Sequence, residues 1–299
     1  MPHNDVNKSR WMLISSMLIF GTIGIFRKYI PLPSSVLAMA RGWIGMAFLA
    51  AVLLLKRQKL DRKAIGRNFP CLLASGIMMG FNWILLFEAY RYTSVATATL
   101  CYYMAPIFVV LVSPMLLKER LSRKKLLCVG AALAGMVLVS GVTKAGFRGA
   151  EEWTGVLLGL GAAVLYAGVV LLNKFIRELN VYDKTIVQLG AAAVVLLPYT
   201  LLTEDFSQIT FEPLAVGLLL VVGIVHTGIA YALYFGSLKD LPGQTVALFS
   251  YIDPVCAIIL SSLLLQEAMG AAEGIGAVLV LCAALVSELP EREKPGRKA

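Results

Sequence analysis

The chain has 299 residues, of which 59 % are hydrophobic and only 15 % are charged, and its mean hydropathy is +0.78. Soluble domains contain about 45–50 % apolar and about 25 % charged residues, so this composition excludes an ordinary soluble domain, a disordered chain and a coiled coil. The net charge of +9 would indicate a nucleic-acid partner in a soluble protein. In a chain this apolar, the position of the charges relative to a bilayer is more informative, and no nucleic-acid partner is expected.

Ten apolar runs follow one another with short polar connections. Each is close to the ~20 residues that a helix needs to cross a bilayer. A transmembrane barrel is disfavoured, because the runs are about twice the length of a barrel strand and do not alternate in polarity. The predicted spans are 11–30, 34–55, 69–90, 95–117, 125–142, 153–176, 185–202, 214–238, 245–265 and 270–289. The polar segment 290–299 is predicted to be a cytoplasmic tail.

The basic residues favour one side of this arrangement. The side that carries the N-terminus has 21 of the 27 Lys and Arg residues, the opposite side has 5, and Arg41 lies inside the second span. Because basic connections stay in the cytoplasm, the sequence predicts a multi-pass protein of the cytoplasmic membrane with both termini inside.

The two halves of the chain can be aligned on each other with a shift of 148 residues. The matched pairs include Tyr103 with Tyr251, Pro106 with Pro254, and Glu119 with Glu267, while Lys28 meets Lys174 at a shift of 146. Each repeat, 11–142 and 153–289, holds five spans. Since five is odd, the second copy enters from the opposite side, and inverted repeats are typical of secondary transporters whose halves rock against each other.

The best-matched segments resemble a known family. Residues 90–98 (YRYTSVATA), 104–108 (MAPIF) and 117–121 (LKERL) resemble the EamA domain of the drug/metabolite transporter superfamily, and 250–255 (SYIDPV) with 265–267 (LQE) resemble its second copy. The second copy departs from the first at 239–243. The resemblance implies an all-α integral membrane fold of ten helices in two inverted five-helix repeats, with a central cavity and alternating access. Its members move amino acids and other metabolites, nucleotide sugars or organic cations.

Ionisable groups inside a membrane are costly unless they are paired or hydrated, so four of them are functional candidates: Asp253, Arg41, His226 and the shallower Glu88. Asp253 precedes Pro254, which lacks a backbone donor and so leaves a carbonyl free one turn back; such a site suits a cation, an ammonium group or a proton. Arg41 is suited either to a substrate carboxylate or to a structural ion pair. His226 is suited either to proton exchange or to neutral packing.

A second set of candidates is polar or aromatic without a charge. Tyrosines at mid-depth are away from the interfacial belt, which favours a wet cavity. With three of the four ionisable residues, the predicted substrate site consists of Asn82, Trp83, Tyr103, Tyr166, His226, Tyr231, Asp253 and Arg41. Asp253 and His226 are the candidates for proton coupling, and no metal or cofactor site is predicted.

Other residues are expected to shape the helices and their ends. Pro106 and Pro254 are predicted to kink their spans, and Glu88, near an outer helix end, is predicted to be a gate or an ion-pair partner. Lys28 and Lys174 are expected to reach the interface from helix ends. Glu119 is expected to cap the following helix or to pair with basic neighbours such as Arg120 and Arg123.

The sequence therefore favours a secondary transporter of a small metabolite, an amino acid or related compound, which it exports with protons as the candidate coupling ion. Uptake or exchange of an organic cation or a nucleotide sugar is the alternative within this class. A membrane scaffold or an intramembrane enzyme is the alternative outside it, although the chain has no Walker A or nucleophile-elbow motif. The lipid bilayer and the substrate are the expected partners, and the oligomeric state is left open.

Overall fold

A computed structural model of the chain describes residues 3–93, 95–139, 150–210, 212–264 and 270–289. The tail 290–299, Glu267 and the end of the fifth predicted span lie outside these ranges. The described residues are helical or in turns, without a strand. The predicted all-helical membrane fold is confirmed.

The helices follow one another with short turns. In chain order they are α1 (His3–Lys28), α2 (Ser34–Leu55), α3 (Arg62–Tyr92), α4 (Val95–Tyr102), α5 (Ala105–Leu116), α6 (Arg123–Val139), α7 (Ala150–Asn173), α8 (Val181–Thr203), α9 (Pro213–Val221), α10 (Ala230–Ser237), α11 (Gly243–Phe249), α12 (Ile252–Leu264) and α13 (Ala271–Glu288). A π-helical segment (Val222–Ile229) joins α9 to α10, and a short 3₁₀ turn (Phe206–Gln208) precedes α9.

Eight helical stretches of the described chain are long and apolar enough to cross a membrane by length and composition. The fifth and tenth predicted spans are helical over Arg123–Val139 and Ala271–Glu288. Every predicted span therefore lies mainly on helix over its described residues. That all ten cross the bilayer stays a prediction.

The connection predicted before the third span is shorter than expected. Helix α3 begins at Arg62, because the side chain of Asp61 accepts a hydrogen bond from the backbone N–H of Ala64 at 2.9 Å. Such a cap satisfies an N–H that the first turn leaves without a partner. The helix therefore begins seven residues before the predicted span 69–90.

Two predicted spans are broken near their middle. The fourth consists of α4 and α5, and the ninth consists of α11 and α12. Pro106 and Pro254 lie in the first turn of the second helix in each pair, where a residue without an N–H loses no helical hydrogen bond. The first helices of the two pairs begin at Val95 and Gly243, which are 148 residues apart, as the repeat predicts.

The packing crosses between the halves of the chain. Helix α3 packs on α7 and α8, α2 on α8 and the π segment, α1 on α10 and α12, and α6 on α13. At Gly76 of α3, an added Cβ would lie 2.8 Å from the carbonyl oxygen of Gln188 of α8, so only glycine allows this approach. The two halves of the chain therefore interleave through these contacts. Rocking of the halves against each other stays a prediction.

Candidate substrate site

A small cavity of about 40 Å³ lies where the two broken spans meet α1 and α7. The hydroxyl of Tyr251, at one break, donates to the backbone carbonyl of Tyr103, at the other break, over 2.9 Å. The cavity is lined by Met17, Phe20, Tyr102, Tyr103, Ala105, Pro106, Tyr166, Ser250 and Asp253. A space of this size holds about one water molecule, so a metabolite requires the surrounding helices to move apart.

Asp253 is the only acidic residue among the residues lining this cavity. It stands in the first turn of α12, and α1 lies close against it: a Cβ added to Gly21 would be 2.9 Å from the Asp253 carbonyl oxygen. The described residues supply no hydrogen bond or ion pair to the carboxylate. An acceptor in this state is available to a cation, an ammonium group or a proton.

Aromatic rings extend from the cavity in a continuous series. Tyr102 and Tyr166 have centroids 5.7 Å apart, and Tyr166 stacks on Tyr234 at 6.3 Å while their hydroxyls are joined by a 2.8 Å hydrogen bond. Phe20 meets Tyr231 edge-on at 5.1 Å. The walls next to Asp253 are therefore amphipathic surfaces on which an apolar or cationic group can stack.

Arg41 joins this series at its far end. Its guanidinium lies over the Trp83 ring, 4.4 Å from the centroid, and Trp83 in turn meets Tyr231 at 6.2 Å. The Nε atom of Arg41 is buried without a hydrogen-bond partner, and the described chain offers the side chain no ion pair. A cation–π contact alone leaves the directional donors of an arginine available to a ligand.

His226 lies on the π segment, where an α-helix is widened by one residue per turn, a feature often found at functional sites. Its Nε2 is 2.7 Å from the hydroxyl of Thr22 on α1, and its ring meets Phe26 edge-on at 4.8 Å. It is not among the residues lining the central cavity. Neighbouring positions of α1, Gly21 and Thr22, thus contact the backbone of Asp253 and the ring of His226.

Asn82 serves helix packing. Its side chain is 1 % exposed, and its Nδ2 donates to the carbonyl of Ala162 on α7 over 2.6 Å. A membrane-buried amide bonded across two helices holds them in register.

The predicted site residues fall into three groups. Tyr103, Tyr166 and Asp253 line the cavity. Trp83, Tyr231 and Arg41 lie beside it through ring contacts, and Asn82 and His226 lie outside it.

Sequence reasoning missed the contribution of α1. Met17 and Phe20 line the cavity, as do Ala105 and Ser250. In the sequence, Met17 and Phe20 are ordinary residues of an apolar span, and nothing in their type or spacing distinguishes them. The pairing of Ser250 with Asp253, one turn away, is the one signal that identifies a missed residue.

A larger cavity of about 430 Å³ opens at the end of the molecule where α1 ends and α2 begins. Its lining is polar and consists of Ser34, Ser35, Phe87, Tyr90, Arg91, Tyr199, Thr203 and Glu204. Beside it, Glu88 forms an ion pair with Arg91 at 3.1 Å and accepts a hydrogen bond from the Tyr199 hydroxyl. Glu88 is therefore held beside this cavity by Arg91 and Tyr199, and it does not contact Arg41.

Comparisons with known proteins agree with this architecture. The family model described as "EamA-like transporter family" matches residues 8–141 and again 153–288. A protein of Bacillus subtilis, named uncharacterized transporter YxxF, is 32 % identical over 84 % of this chain and 79 % of its own length. The protein PecM of Dickeya dadantii is 27 % identical over 74 % of this chain and 76 % of its own.

A solved crystal structure has the same fold. It superposes with a TM-score of 0.84 at 20 % identity, covering 94 % of this chain and 97 % of the other. Apolar helices that cross a membrane, a duplicated domain and a central cavity define a multi-pass membrane transporter. The chain belongs to the EamA-like transporter family, within the drug/metabolite transporter superfamily, and contains two EamA repeats.

Proposed function

We propose that this protein is a secondary active transporter that exports an amino acid or a related small metabolite across the cytoplasmic membrane. The substrate binds at the central cavity, between the broken spans and α1. The observation that carries this proposal is the carboxylate of Asp253, which lies in an aromatic cavity at a helix break without a partner from the described residues. Its cost in a membrane argues for a ligand or a proton that neutralises it.

Arg41 supports a substrate that carries both charges. Its guanidinium lies over Trp83, and the rings of Trp83, Tyr231 and Phe20 connect it to the wall that contains Asp253. Two opposite charges on one aromatic surface, to which the described residues give no ion-pair partner, are complementary to the ammonium and the carboxylate of a zwitterion. The planar donors of an arginine are suited to a carboxylate.

An organic cation is the second candidate, because one carboxylate among tyrosine rings is also the arrangement that binds ammonium ligands. In that case Asp253 and Tyr166 are needed for binding and Arg41 is not. A nucleotide sugar has less support, because the residues lining the central cavity include no basic side chain for its phosphates.

The transport cycle is proposed to be alternating access. The breaks at 103–104 and 250–251 are the points at which α4 and α11 can change direction relative to α5 and α12. Because the halves of the chain interleave, groups of helices drawn from both repeats move. We place both termini in the cytoplasm on the basis of the basic connections, so the 430 Å³ cavity faces outwards.

Proton coupling is assigned to Asp253, with His226 as a second titratable group that contacts the neighbouring position of α1. The two side chains are not joined by a hydrogen bond or ion pair in the part of the chain described. Protonation of Asp253 and binding of the ammonium group compete for the same oxygens, which is one way for a carboxylate to exchange a proton for a substrate.

The test is transport by the purified protein in proteoliposomes. We expect Asp253→Asn to lower the initial rate at least about 100-fold and to abolish the dependence on a pH gradient. An asparagine amide carries no negative charge, so it cannot bind a proton and a cationic group in turn. His226→Ala is expected to alter the pH profile without abolishing transport. Glu178→Gln is the control, because Glu178 is exposed and pairs only with Arg67 at 3.4 Å.

A counterflow screen with amino acids, amines and nucleotide sugars identifies the substrate class. If Asp253→Asn and His226→Ala both leave the rate and its pH dependence unchanged, the assignment of the site is wrong.

A further inference from the structure

The turn between α10 and α11, residues 238–242, is held from both ends by charged side chains. Helix α10 ends at Ser237 and α11 begins at Gly243, so carbonyl groups on one side and N–H groups on the other lack helical partners. Side chains from three other parts of the fold supply those partners. None of these side chains lines the central cavity.

Two lysines satisfy the carbonyl groups. Lys174, which follows α7, donates from Nζ to the carbonyl of Leu238 at 2.5 Å and to that of Leu241. Lys184 of α8 is 4 % exposed and donates to the carbonyl of Phe235 at 2.9 Å. Lys174 was expected to extend towards the interface, and that expectation was wrong, because the carbonyls at the end of α10 bind its ammonium group inside the protein.

Glu119 satisfies the N–H groups. Its Oε1 accepts from the backbone N–H of Gly243 at 2.6 Å, and its Oε2 accepts from that of Gln244 at 3.2 Å. The side chain of Gln244 donates to Ser113 Oγ at 3.1 Å. Glu119 therefore caps a helix, as expected, but the helix belongs to the other half of the chain and is not the one that follows it.

A third link comes from α1. The hydroxyl of Ser9 donates to Asp240 Oδ2 over 2.6 Å. Ser9, Ser113 and Glu119 belong to the first repeat, while the turn belongs to the second, so these hydrogen bonds cross-link the two repeats at one end of the molecule.

At the opposite end of the molecule, the described residues do not bind the equivalent lysine in this way. Lys28, which matches Lys174 in the repeat, is exposed, and the described residues give its ammonium group no hydrogen-bond partner. The 430 Å³ cavity opens at that same end. Of the two lysines that the repeat matches, Lys174 is thus bound by backbone carbonyls at its end of the molecule, while Lys28 is exposed at the other.

We propose that Glu119, Lys174 and Lys184 form a latch that holds residues 238–242 together with the end of α10 and the start of α11, and keeps the cytoplasmic end of the transport path closed. This rests on the transport function and orientation proposed above. The latch is linked to the site because α11, which it holds, ends at the break before Asp253. Opening the cytoplasmic end requires these hydrogen bonds to break, so that α11 can swing about residues 250–251.

Cysteine accessibility tests the latch without measuring transport. Ala247 on α11 is 2 % exposed, and Ala247→Cys is a small change. In inside-out vesicles we expect a membrane-impermeant maleimide to label this cysteine about tenfold faster when Glu119→Gln or Lys174→Met is added than in Ala247→Cys alone. This is the effect expected from losing one charge-assisted helix cap. The chain without the added cysteine gives the baseline from the five native cysteines.

Lys28→Met is the matched control, because the same change is made at the equivalent position and removes no hydrogen bond that the structure describes. We expect it to leave the labelling rate unchanged. Elution from a sizing column confirms that each variant is folded, and Lys174→Met decides the result if Glu119→Gln does not fold.

Equal labelling of folded Lys174→Met and Lys28→Met would overturn the latch. Faster labelling in a protein that transports none of the screened compounds would support the latch and count against the proposed substrate. Loss of transport in Asp253→Asn together with unchanged labelling in the latch variants would support the function and overturn the latch.

Discussion

The role of a buried charge depends on what its neighbours leave unsatisfied. Arg41 and Lys184 are both basic and both lie within helices, yet Lys184 donates to a carbonyl and Arg41 stacks on an indole with its Nε unpaired. The first arrangement is complete without a ligand. The second leaves donors free beside an aromatic surface, which is the stronger indication of a binding role.

Arg41→Gln separates an amino acid from an organic cation as the substrate. If Arg41 binds a substrate carboxylate, we expect affinity for the amino acid to fall about 10- to 100-fold, equivalent to the ~1.5–3 kcal/mol of a hydrogen bond to a charged group. Affinity for the corresponding amine, which lacks the carboxylate, is expected to stay the same. The measurement is competition for uptake into proteoliposomes.

Arg67→Gln is the control for that experiment, since Arg67 is exposed and pairs only with Glu178. Equal losses for the amino acid and the amine, together with a lower unfolding temperature, would assign Arg41 to helix packing.

Helix packing in this protein depends on small residues at defined positions. Gly76 and Gly80 lie one turn apart on α3, and an added Cβ at either would come within 3.0 Å of a backbone oxygen of α8. Lipid offers no hydrophobic driving force for helix association, so close backbone contact is a main source of stability.

Gly76→Ala is expected to destabilise the protein by ~1–3 kcal/mol, because the new methyl group forces α3 and α8 apart. Gly66→Ala is the matched control: it lies on the same helix, and nothing is within 4 Å of an added Cβ. The unfolding temperature of the detergent-solubilised protein is the measurement. Equal temperatures for the two variants would show that α3 and α8 do not pack as described.

At the scale of the whole molecule, the repeats are interleaved. The main helix contacts of α1, α2, α3 and α6 are all with helices of the second half. Each repeat therefore exposes its packing surface when it is alone, and the duplicated chain is one folding unit.

Residues 1–149 and 150–299, produced as two chains, are expected to be recovered together after solubilisation. The first half produced alone is expected to be degraded or aggregated, because its packing surfaces have no partner. Co-purification followed by thermal unfolding is the measurement. A first half that purifies alone with the unfolding temperature of the full chain would contradict the interleaved arrangement.

The sequence by itself determined the all-helical membrane class and the duplication. These follow from local properties: a bilayer requires long apolar runs whose backbone bonds are satisfied internally, and a repeat is visible as matched residues. It also singled out Asp253, Tyr103 and Tyr166, which line the central cavity, because charged or tyrosine side chains at mid-depth in an apolar span are unusual.

Only the tertiary structure decided which residues meet. The pairing of Glu119 with α11, the hydrogen bonds of Lys174 to the turn after α10, and the place of Phe20 in the cavity wall join segments distant along the chain. An apolar helix has nearly the same composition on every face in lipid, so its pattern does not reveal which face meets protein. The contacts that define the site and the latch follow from how closely these helices pack, which no local property of the sequence encodes.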